Sequence, residues 1–374
     1  MSKDIPSLMF RFLRYAVLLS AVLPLVMAVA NTSAQSIADP MSRPARRIPA
    51  GFQAVMLDIT RAGDTLVSVG ERGIVLFSKN NGKDWIQANV PVSVTLTAVS
   101  FVDERRGWAV GHSGIILHSD DGGENWVVQL NGVRAAELIA QQADADTGPD
   151  RERRQRQAKM FLNDGADKPF LAVAFENEKL GFAVGAYGLA FRTEDGGATW
   201  IPWVNRVANP DGMNIYAIHL HGDTWTLAGE QGFFAQSVDD GRNFHQIKTP
   251  YRGSYFTLSA AGPGRLILGG LRGHAFFYMD ATSAFEPIHA QVASTLVSSV
   301  TLNGGNRIFV NQAGQWLALR DHALSLTPTP EGAPANALAV APDGTLWAAT
   351  WRGLARFSML QDGEAGKPEE EAKK

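Results

Sequence analysis

Three aspartates recur at one place in a repeated motif and are the acidic side chains best spaced for chemistry. Asp121, Asp195 and Asp239 each follow a Ser or Thr by two residues and precede a Gly by two and an aromatic residue by five. Pairs of carboxylates can act as general acid and base. In this motif, however, hydroxyl and carboxylate are expected to bond to the backbone of a hairpin turn, with Gly at positive φ. We therefore predict a structural role for these acids.

The motif, S/T-x-D-x-G-x-x-W/F, is the Asp-box, and it marks a turn between two strands. The first of its four copies has Asn in place of Asp. The copies consist of Ser78, Asn80, Gly82 and Trp85; Ser119, Asp121, Gly123 and Trp126; Thr193, Asp195, Gly197 and Trp200; and Ser237, Asp239, Gly241 and Phe244.

Asp-boxes also occur in sialidases, so a glycoside hydrolase is the alternative function. Such a site needs three arginines on a sugar carboxylate, a Tyr nucleophile assisted by Glu, and an Asp acid. The triplet Arg47-Ile48-Pro49 matches the segment that supplies the first arginine in sialidases. Tyrosines are present at Tyr216, Tyr251 and Tyr255, but their spacing shows no pairing with Glu. The sequence therefore favours a protein that is not an enzyme.

His219 and His221 are the residues best spaced to bind a metal, because alternate residues of a strand share one face. No third ligand is evident, and a pair of ordinary strand histidines is the simpler interpretation. The chain has no Cys, and it contains no G-x-S-x-G, phosphate-loop or H-E-x-x-H motif. We expect no metal and no cofactor.

A second motif consists of two glycines enclosing two residues, and we call it the turn motif. It divides the chain into repeats. Its first positions lie 39 to 44 residues apart, except for one step of 74 that holds an insertion of about 33 residues. Five copies have both glycines, and two later copies are weaker. They are Gly70 to Gly73, Gly111 to Gly114, Gly185 to Gly188, Gly229 to Gly232, Gly270 to Gly273, Asn311 to Gly314 and Thr350 to Gly353.

Each repeat contains four short apolar or alternating runs, as in 96–102, 108–110, 115–118 and 126–130. A unit of this size cannot bury both faces of its sheet alone, and radial repetition about a channel solves the problem. We predict an all-β fold, a seven-bladed β-propeller with Asp-box turns. A pair of β-sandwiches is the second choice, but it does not explain the regular step.

The last repeat provides only three strands, and nothing like a strand follows before the charged tail at 361–374. An open sheet edge invites aggregation. We expect the segment from Arg46 to Phe52 to add the missing strand and close the ring. The propeller is thus assigned to residues 46–360.

The N-terminal residues have the order of a secretory signal. Lys3, Arg11 and Arg14 precede an apolar run that ends in Ala28-Val29-Ala30. We assign 1–30 to a cleaved signal peptide, with Ala34 as a second choice of last residue and an uncleaved anchor as the alternative, and 31–45 to a linker. The expected location is the periplasm or an equivalent lumen. A net charge of −3 without a long basic run argues against a nucleic-acid partner.

Residues 131–168 form the insertion between the second and third repeats. The part 133–142 has helical spacing, and 151–159 is strongly basic. One interpretation is a solvated helical excursion. The other is a docking arm that meets an acidic partner or an anionic membrane surface. The basic residues that would make the contact are Arg151, Arg153, Arg154 and Arg156.

With these repeats the chain resembles the photosystem II stability and assembly factors, exported seven-bladed propellers built from Asp-box (BNR-like) repeats. The likeness is strongest from Gly107 to Trp126 and from Gly181 to Trp200. It implies a non-catalytic scaffold that holds a membrane-protein subunit during assembly and uses an arginine patch for contact. Similar proteins of heterotrophic bacteria are associated with envelope transporters of the resistance-nodulation-division (RND) type.

The arginine patch of the family can be carried over only in part. Arg72, Arg272 and Arg352 take the third position of their repeat's turn motif, in repeats one, five and seven. We expect them to lie at similar height on one rim of the propeller. The leading hypothesis is an exported, non-catalytic scaffold that binds an integral membrane complex, photosystem-like or an RND-type transporter, with possible peripheral membrane contact.

Overall fold

The computed structural model describes residues 39–47, 53–302, 305–328 and 334–357. The predicted signal peptide (1–30), most of the predicted linker and the charged tail (361–374) lie outside these residues. Residues 48–52 of the predicted closing strand lie outside them as well. None of the helices within the described ranges is long and apolar enough to cross a membrane.

The strands follow one another as antiparallel meanders, which we number as blades in chain order. Blades 1 to 4 have four strands each. Their strands are β1 (Met56–Ala62), β2 (Thr65–Gly70), β3 (Val75–Ser78) and β4 (Ile86–Gln87); β5 (Leu96–Phe101), β6 (Gly107–Gly111), β7 (Ile116–Ser119) and β8 (Val127–Leu130); β9 (Phe170–Phe175), β10 (Gly181–Gly185), β11 (Ala190–Thr193) and β12 (Ile201–Pro202); and β13 (Ile215–His221), β14 (Thr224–Gly229), β15 (Phe234–Ser237) and β16 (His245–Gln246).

Blades 5 and 6 also have four strands each, and blade 7 has three within the described residues. Their strands are β17 (Tyr255–Ala260), β18 (Arg265–Gly270), β19 (Ala275–Met279) and β20 (Ala284–Ala290); β21 (Leu296–Thr301), β22 (Arg307–Asn311), β23 (Trp316–Arg320) and β24 (Ala323–Leu326); and β25 (Ala335–Val340), β26 (Leu346–Thr350) and β27 (Gly353–Phe357). The outer strands β20 and β24 pair in parallel, so blades 5 and 6 share one eight-stranded sheet.

The first strand of each blade contacts the first strands of both neighbouring blades, and β1 contacts β25 to complete the cycle. Apolar clusters fill the spaces between adjacent sheets, as expected for sheets that bury both faces by radial packing. The predicted β-propeller is confirmed, and its first strands surround a central channel.

The ring is closed by packing of blade 1 against blade 7. Met56 and Leu66 of blade 1 lie in one buried cluster with Ala339 and Trp347 of blade 7. Arg46 and Arg47 are in no strand. The Arg47 guanidinium donates instead to the Gln87 carbonyl and to Asn89 Oδ1, beyond the outer strand of blade 1.

The propeller has two distinct faces because of the meander topology. The turn between the second and third strands lies at the same end of a blade as the link to the next blade, and the two hairpins of the meander lie at the other end. We call the first the turn face and the second the hairpin face. The glycine-pair motifs are on the turn face and the Asp-boxes on the hairpin face.

The insertion folds into a helical hairpin, α1 (Gly132–Asp144) and α2 (Arg151–Asp164). It links blade 2 to blade 3 and therefore lies on the turn face, where α1 contacts the turn at His112–Gly114. Ile139 of α1 and Phe161 of α2 are buried in one cluster with Phe170 and Leu189 of blade 3. The hairpin is thus docked on the propeller, and the interpretation of α1 as a solvated excursion is wrong.

Candidate partner-binding face

The Asp-box side chains are engaged in their own turns. Ser119 Oγ donates to Asp121 Oδ1 over 2.9 Å, and Gly123 N–H donates to Ser119 Oγ over 3.0 Å. Asn125 donates to both carboxylate oxygens of Asp121. Thr193 with Asp195 and Ser237 with Asp239 repeat these bonds. These acids therefore stabilise the backbone of their own turns on the hairpin face.

The pKa values of these carboxyls follow from the same contacts. Burial would raise the pKa of Asp239, but hydrogen bonds from Ser237 and Asn243 outweigh it and lower the pKa to about 2. Hydrogen bonds likewise lower the pKa values of Asp121 and Asp195, although burial would raise them. A carboxyl that stays ionised in this way is unsuited to the role of a general acid at neutral pH.

Arg72, Arg272 and Arg352 are all exposed on the turn face. Arg72 and Arg272 have positive φ, 53° and 57°, and the side chain of Arg72 is 82% exposed. Arg352 differs, because φ turns positive only at the following Gly353 in its tighter turn. Blades 7 and 1 are neighbours, whereas blade 6 separates Arg272 from Arg352.

The basic residues of α2 divide into two groups. Arg154 pairs with Asp146 in the loop between the helices, and its side chain is largely covered. It therefore holds the hairpin together and is not presented to a partner. Arg151 and Arg156 are exposed, and Arg153 is paired with Asp150 over 3.4 Å. Three of the four predicted contact arginines of the insertion thus remain accessible.

Of the residues considered for a sialidase site, Tyr251 and Tyr255 are in contact, with ring centroids 5.4 Å apart, but Arg47 is not brought to them. Arg47 lies on the Gln87 and Asn89 side of blade 1. Tyr251 donates to the Leu271 carbonyl, and burial raises the pKa of Tyr255 to about 12. Tyr216 lines the channel, but no arginine is among the described residues that line it.

His219 and His221 stack with ring centroids 6.5 Å apart. Burial, and then the charge of His221, lower the pKa of His219. Within the described residues there is no group of three His, Cys, Asp or Glu side chains placed to bind a metal.

A feature that the sequence analysis missed lies at the mouth of the channel. In every blade the first strand has a β-bulge at its second residue. We call these seven residues the bulge ring. They all line the channel cavity of about 620 Å³ and are Leu57, Thr97, Leu171, Tyr216, Phe256, Val297 and Asn336. The available signal was their position, 13 or 14 residues before the first position of each turn motif.

Asp58 follows the bulge of blade 1 and joins it to blade 2. Its carboxylate accepts hydrogen bonds from the backbone N–H of Ile59 and, over 2.9 Å, of Val99 in the next first strand. Burial raises the pKa of Asp58 to about 6 despite these bonds.

A groove of about 650 Å³ opens on the turn face between blades 6 and 7. Trp351 and Arg352 form its outer end, and Gln312 and Asn336 form its inner end. Val297, Gln312 and Asn336 line the channel as well, so groove and channel are continuous. Trp351 is 61% exposed, which is unusual for a side chain of its size.

Fold and surface together define a β-propeller with one distinctive face, which bears three exposed turn arginines, a docked hairpin with the basic helix α2, and a groove that leads to the channel. The sequence profile of the photosynthesis system II assembly factor YCF48 matches residues 41–133 and 154–363. The chain therefore belongs to that family. Residues 134–153, which hold most of α1 and the loop to α2, are outside the match.

Individual relatives agree with the family assignment. The photosystem II assembly lipoprotein Ycf48 of Synechococcus sp. (strain CC9902) is 23% identical over 182 residues, which is 47% of this chain. The match spans only 55% of that relative's length. YCF48 from Cyanidioschyzon merolae superposes with a TM-score of 0.58 at 16% identity, covering 83% of this chain and 97% of that one. A structure of YCF48 bound to D1 peptide gives 0.56 at 14% identity, with 84% and 95% covered.

Proposed function

We propose that this protein is an exported, non-catalytic assembly scaffold that binds an integral membrane protein through its turn face. Membership of an assembly-factor family supports the role, and a related structure is that of YCF48 bound to D1 peptide. The single observation that carries the choice of face is that the exposed arginines of three turns and the basic helix α2 are all on it. Clustered positive charge favours a partner with an acidic surface.

The identity of the partner is a further part of the proposal. A photosystem-like complex and an RND-type transporter are both integral membrane assemblies. The related structure holds a D1 peptide, whereas the transporter is supported only by the resemblance of the sequence to bacterial proteins of this kind. The shared chemistry is an acidic segment on a membrane protein, and the exposed arginines of α2 would also suit anionic lipid headgroups.

Export to the periplasm or an equivalent lumen is proposed from the leader at residues 1–30. The cyanobacterial relative is named a lipoprotein. This chain contains no Cys to carry a lipid, so we propose that it reaches the membrane through protein contact and the basic helix α2.

Charge reversal tests the choice of face. The full chain, tagged, should recover an integral membrane complex from detergent-solubilised membranes of its own organism. A triple variant in which Glu replaces each of Arg72, Arg272 and Arg352 should reduce recovery by about tenfold or more. Each reversal adds repulsion at an acidic surface.

The matched control reverses three exposed cations of the hairpin face, Lys83, Lys179 and Arg242. This variant has the same net charge as the first and should recover the complex as well as the parent does. If both variants behave alike, the turn face is the wrong assignment. If the parent recovers no membrane protein, the scaffold function itself is wrong.

A further inference from the structure

The bulge ring presents one residue of every blade to the same opening. A β-bulge redirects a side chain out of the regular alternation of its strand, and bulges are common beside functional sites. Seven bulges at equivalent positions therefore point to a surface whose side chains are aimed at the channel mouth. All seven residues are only half-buried, so they remain available for contact.

Five of the seven residues of the ring are apolar or aromatic. Leu171, Tyr216 and Phe256 come from the consecutive blades 3 to 5, and the rings of Tyr216 and Phe256 are 5.0 Å apart. The polar Thr97 and Asn336 come from blades 2 and 7, on either side of Leu57. The cavity volume of about 620 Å³ is within the usual range for ligand sites and can hold a large side chain.

The groove between blades 6 and 7 adds a second contact region that reaches the ring at Val297 and Asn336. It offers an exposed indole at Trp351, a cation at Arg352 and the Gln312 amide, which makes no side-chain hydrogen bond to another described residue. Amides of this kind can pair with the backbone of an extended chain. The cation favours a carboxylate beside it.

We propose that the groove and the bulge ring form one site for an extended acidic segment of a partner polypeptide. The segment lies in the groove, with a carboxylate at Arg352 and its backbone against Gln312 and Asn336. It inserts one aromatic or long aliphatic side chain into the ring, against Tyr216 and Phe256. This inference deepens the proposed function and rests on its choice of the turn face.

The test uses the full chain and two sets of short, fluorescently labelled peptides rich in Asp and Gly. One set has a single Phe and the other has Ser in its place. By fluorescence anisotropy the Phe peptides should bind at least about tenfold more tightly, which is the gain expected from burying one aromatic side chain. Equal affinity of the two sets would overturn the proposal.

Two variants separate the ring from the groove. Phe256→Ala should remove the preference for Phe over Ser, whereas Trp351→Ala should weaken both sets and keep the preference. Val238→Ala is the matched control, because Val238 is 68% exposed and lies in an Asp-box turn of the hairpin face. An unchanged preference in a folded Phe256→Ala protein would contradict the site. So would binding of a neutral oligosaccharide such as maltohexaose in place of the peptides.

The same variants distinguish this site from the scaffold function. If Phe256→Ala and Trp351→Ala recover the membrane complex like the parent while the triple arginine reversal does not, the site is wrong and the function stands. If the peptides bind as expected and the parent recovers no membrane complex, the site stands and the function is wrong.

Discussion

At the scale of single residues, the same kind of side chain has different uses on the two faces. Asp121 and Asp239 bind the backbone of their own turns on the hairpin face. In blade 1, Asn80 Oδ1 accepts a hydrogen bond from Asp84 N–H over 2.9 Å in the same way. One side-chain oxygen is therefore enough to accept this backbone hydrogen bond. Asp58 instead bonds across to the neighbouring blade at the channel. The Asp-box predicted the role of the first two acids, whereas the role of Asp58, which is in no motif, follows only from its contacts.

The raised pKa of Asp58 predicts a pH dependence of stability. Its folded pKa of about 6 lies above the ordinary aspartate value of 3.8, so the folded protein holds the proton more tightly than the unfolded chain. The stability from this group is fully present below about pH 4 and is lost as the pH rises through about 6. Lowering the pH from about 7.5 to about 5 should therefore stabilise the parent more than Asp58→Asn, whose side chain stays neutral.

Urea unfolding of both proteins at the two pH values measures this difference. Other groups titrate equally in parent and variant, so they cancel from the comparison. The same change in the free energy of unfolding for both proteins would show that Asp58 is not held in an environment that disfavours its charge.

At the scale of elements, residue types predict those structures that depend on backbone conformation. In blades 1 to 5 a side chain at the first Gly of the turn motif would clash with the chain beside it, as at Gly111, where a Cβ would meet the Thr95 carbonyl oxygen. Such constraints leave a regular mark in the sequence, and the β-propeller could be predicted from them. The bulge ring leaves no such mark, because Leu57, Tyr216 and Asn336 share a place and no chemistry.

The insertion shows what sequence could not decide. Its helices were expected from their spacing, but their docking depends on tertiary contacts. Gln142 Nε2 donates to the Pro202 carbonyl over 2.8 Å, and Asn205 Nδ2 donates to Gln142 Oε1 over 3.1 Å. Neither partner is near in sequence. Arg154 was predicted to contact a partner, but it is paired with Asp146. That pairing could not be predicted either, because Asp146 is eight residues away in a loop.

Docking of the hairpin gives a second prediction. Phe161 is 2% exposed within the cluster that joins α1, α2 and blade 3, and the adjacent Leu162 is 47% exposed. Phe161→Ala should lower the free energy of unfolding by about 3 to 5 kcal/mol. Leu162→Ala should change it by less than about 0.5 kcal/mol. Denaturant unfolding measures both, and two equally mild variants would indicate a hairpin that contributes little to the fold.

At the scale of the whole molecule, the propeller is closed by contact between its first and last blades. The first strands form a closed cycle, in which blade 7 meets blade 1 through the Trp347 cluster. Asn336 Nδ2 also donates to the Met56 carbonyl across this boundary, over 2.7 Å. The two residues are 280 positions apart, so closure depends on a contact between residues far apart in the sequence.

Two tryptophans in blade 7 allow closure to be tested with a matched pair. Trp347 is 6% exposed, packs edge-on to Trp85 of blade 1 at 5.2 Å, and donates to the Asn81 carbonyl over 3.1 Å. Trp347→Ala removes the indole and leaves a cavity between the first and last blades, so we expect a loss of about 3 to 5 kcal/mol in the free energy of unfolding. Trp351→Ala removes the same group from an exposed turn four residues later and should leave stability within about 0.5 kcal/mol of the parent.

Denaturant unfolding followed by circular dichroism gives both values, and it also shows whether Trp347→Ala unfolds in one transition. If the two variants are equally stable, the contact between blades 1 and 7 does not hold the ring together, and another part of the chain must close it.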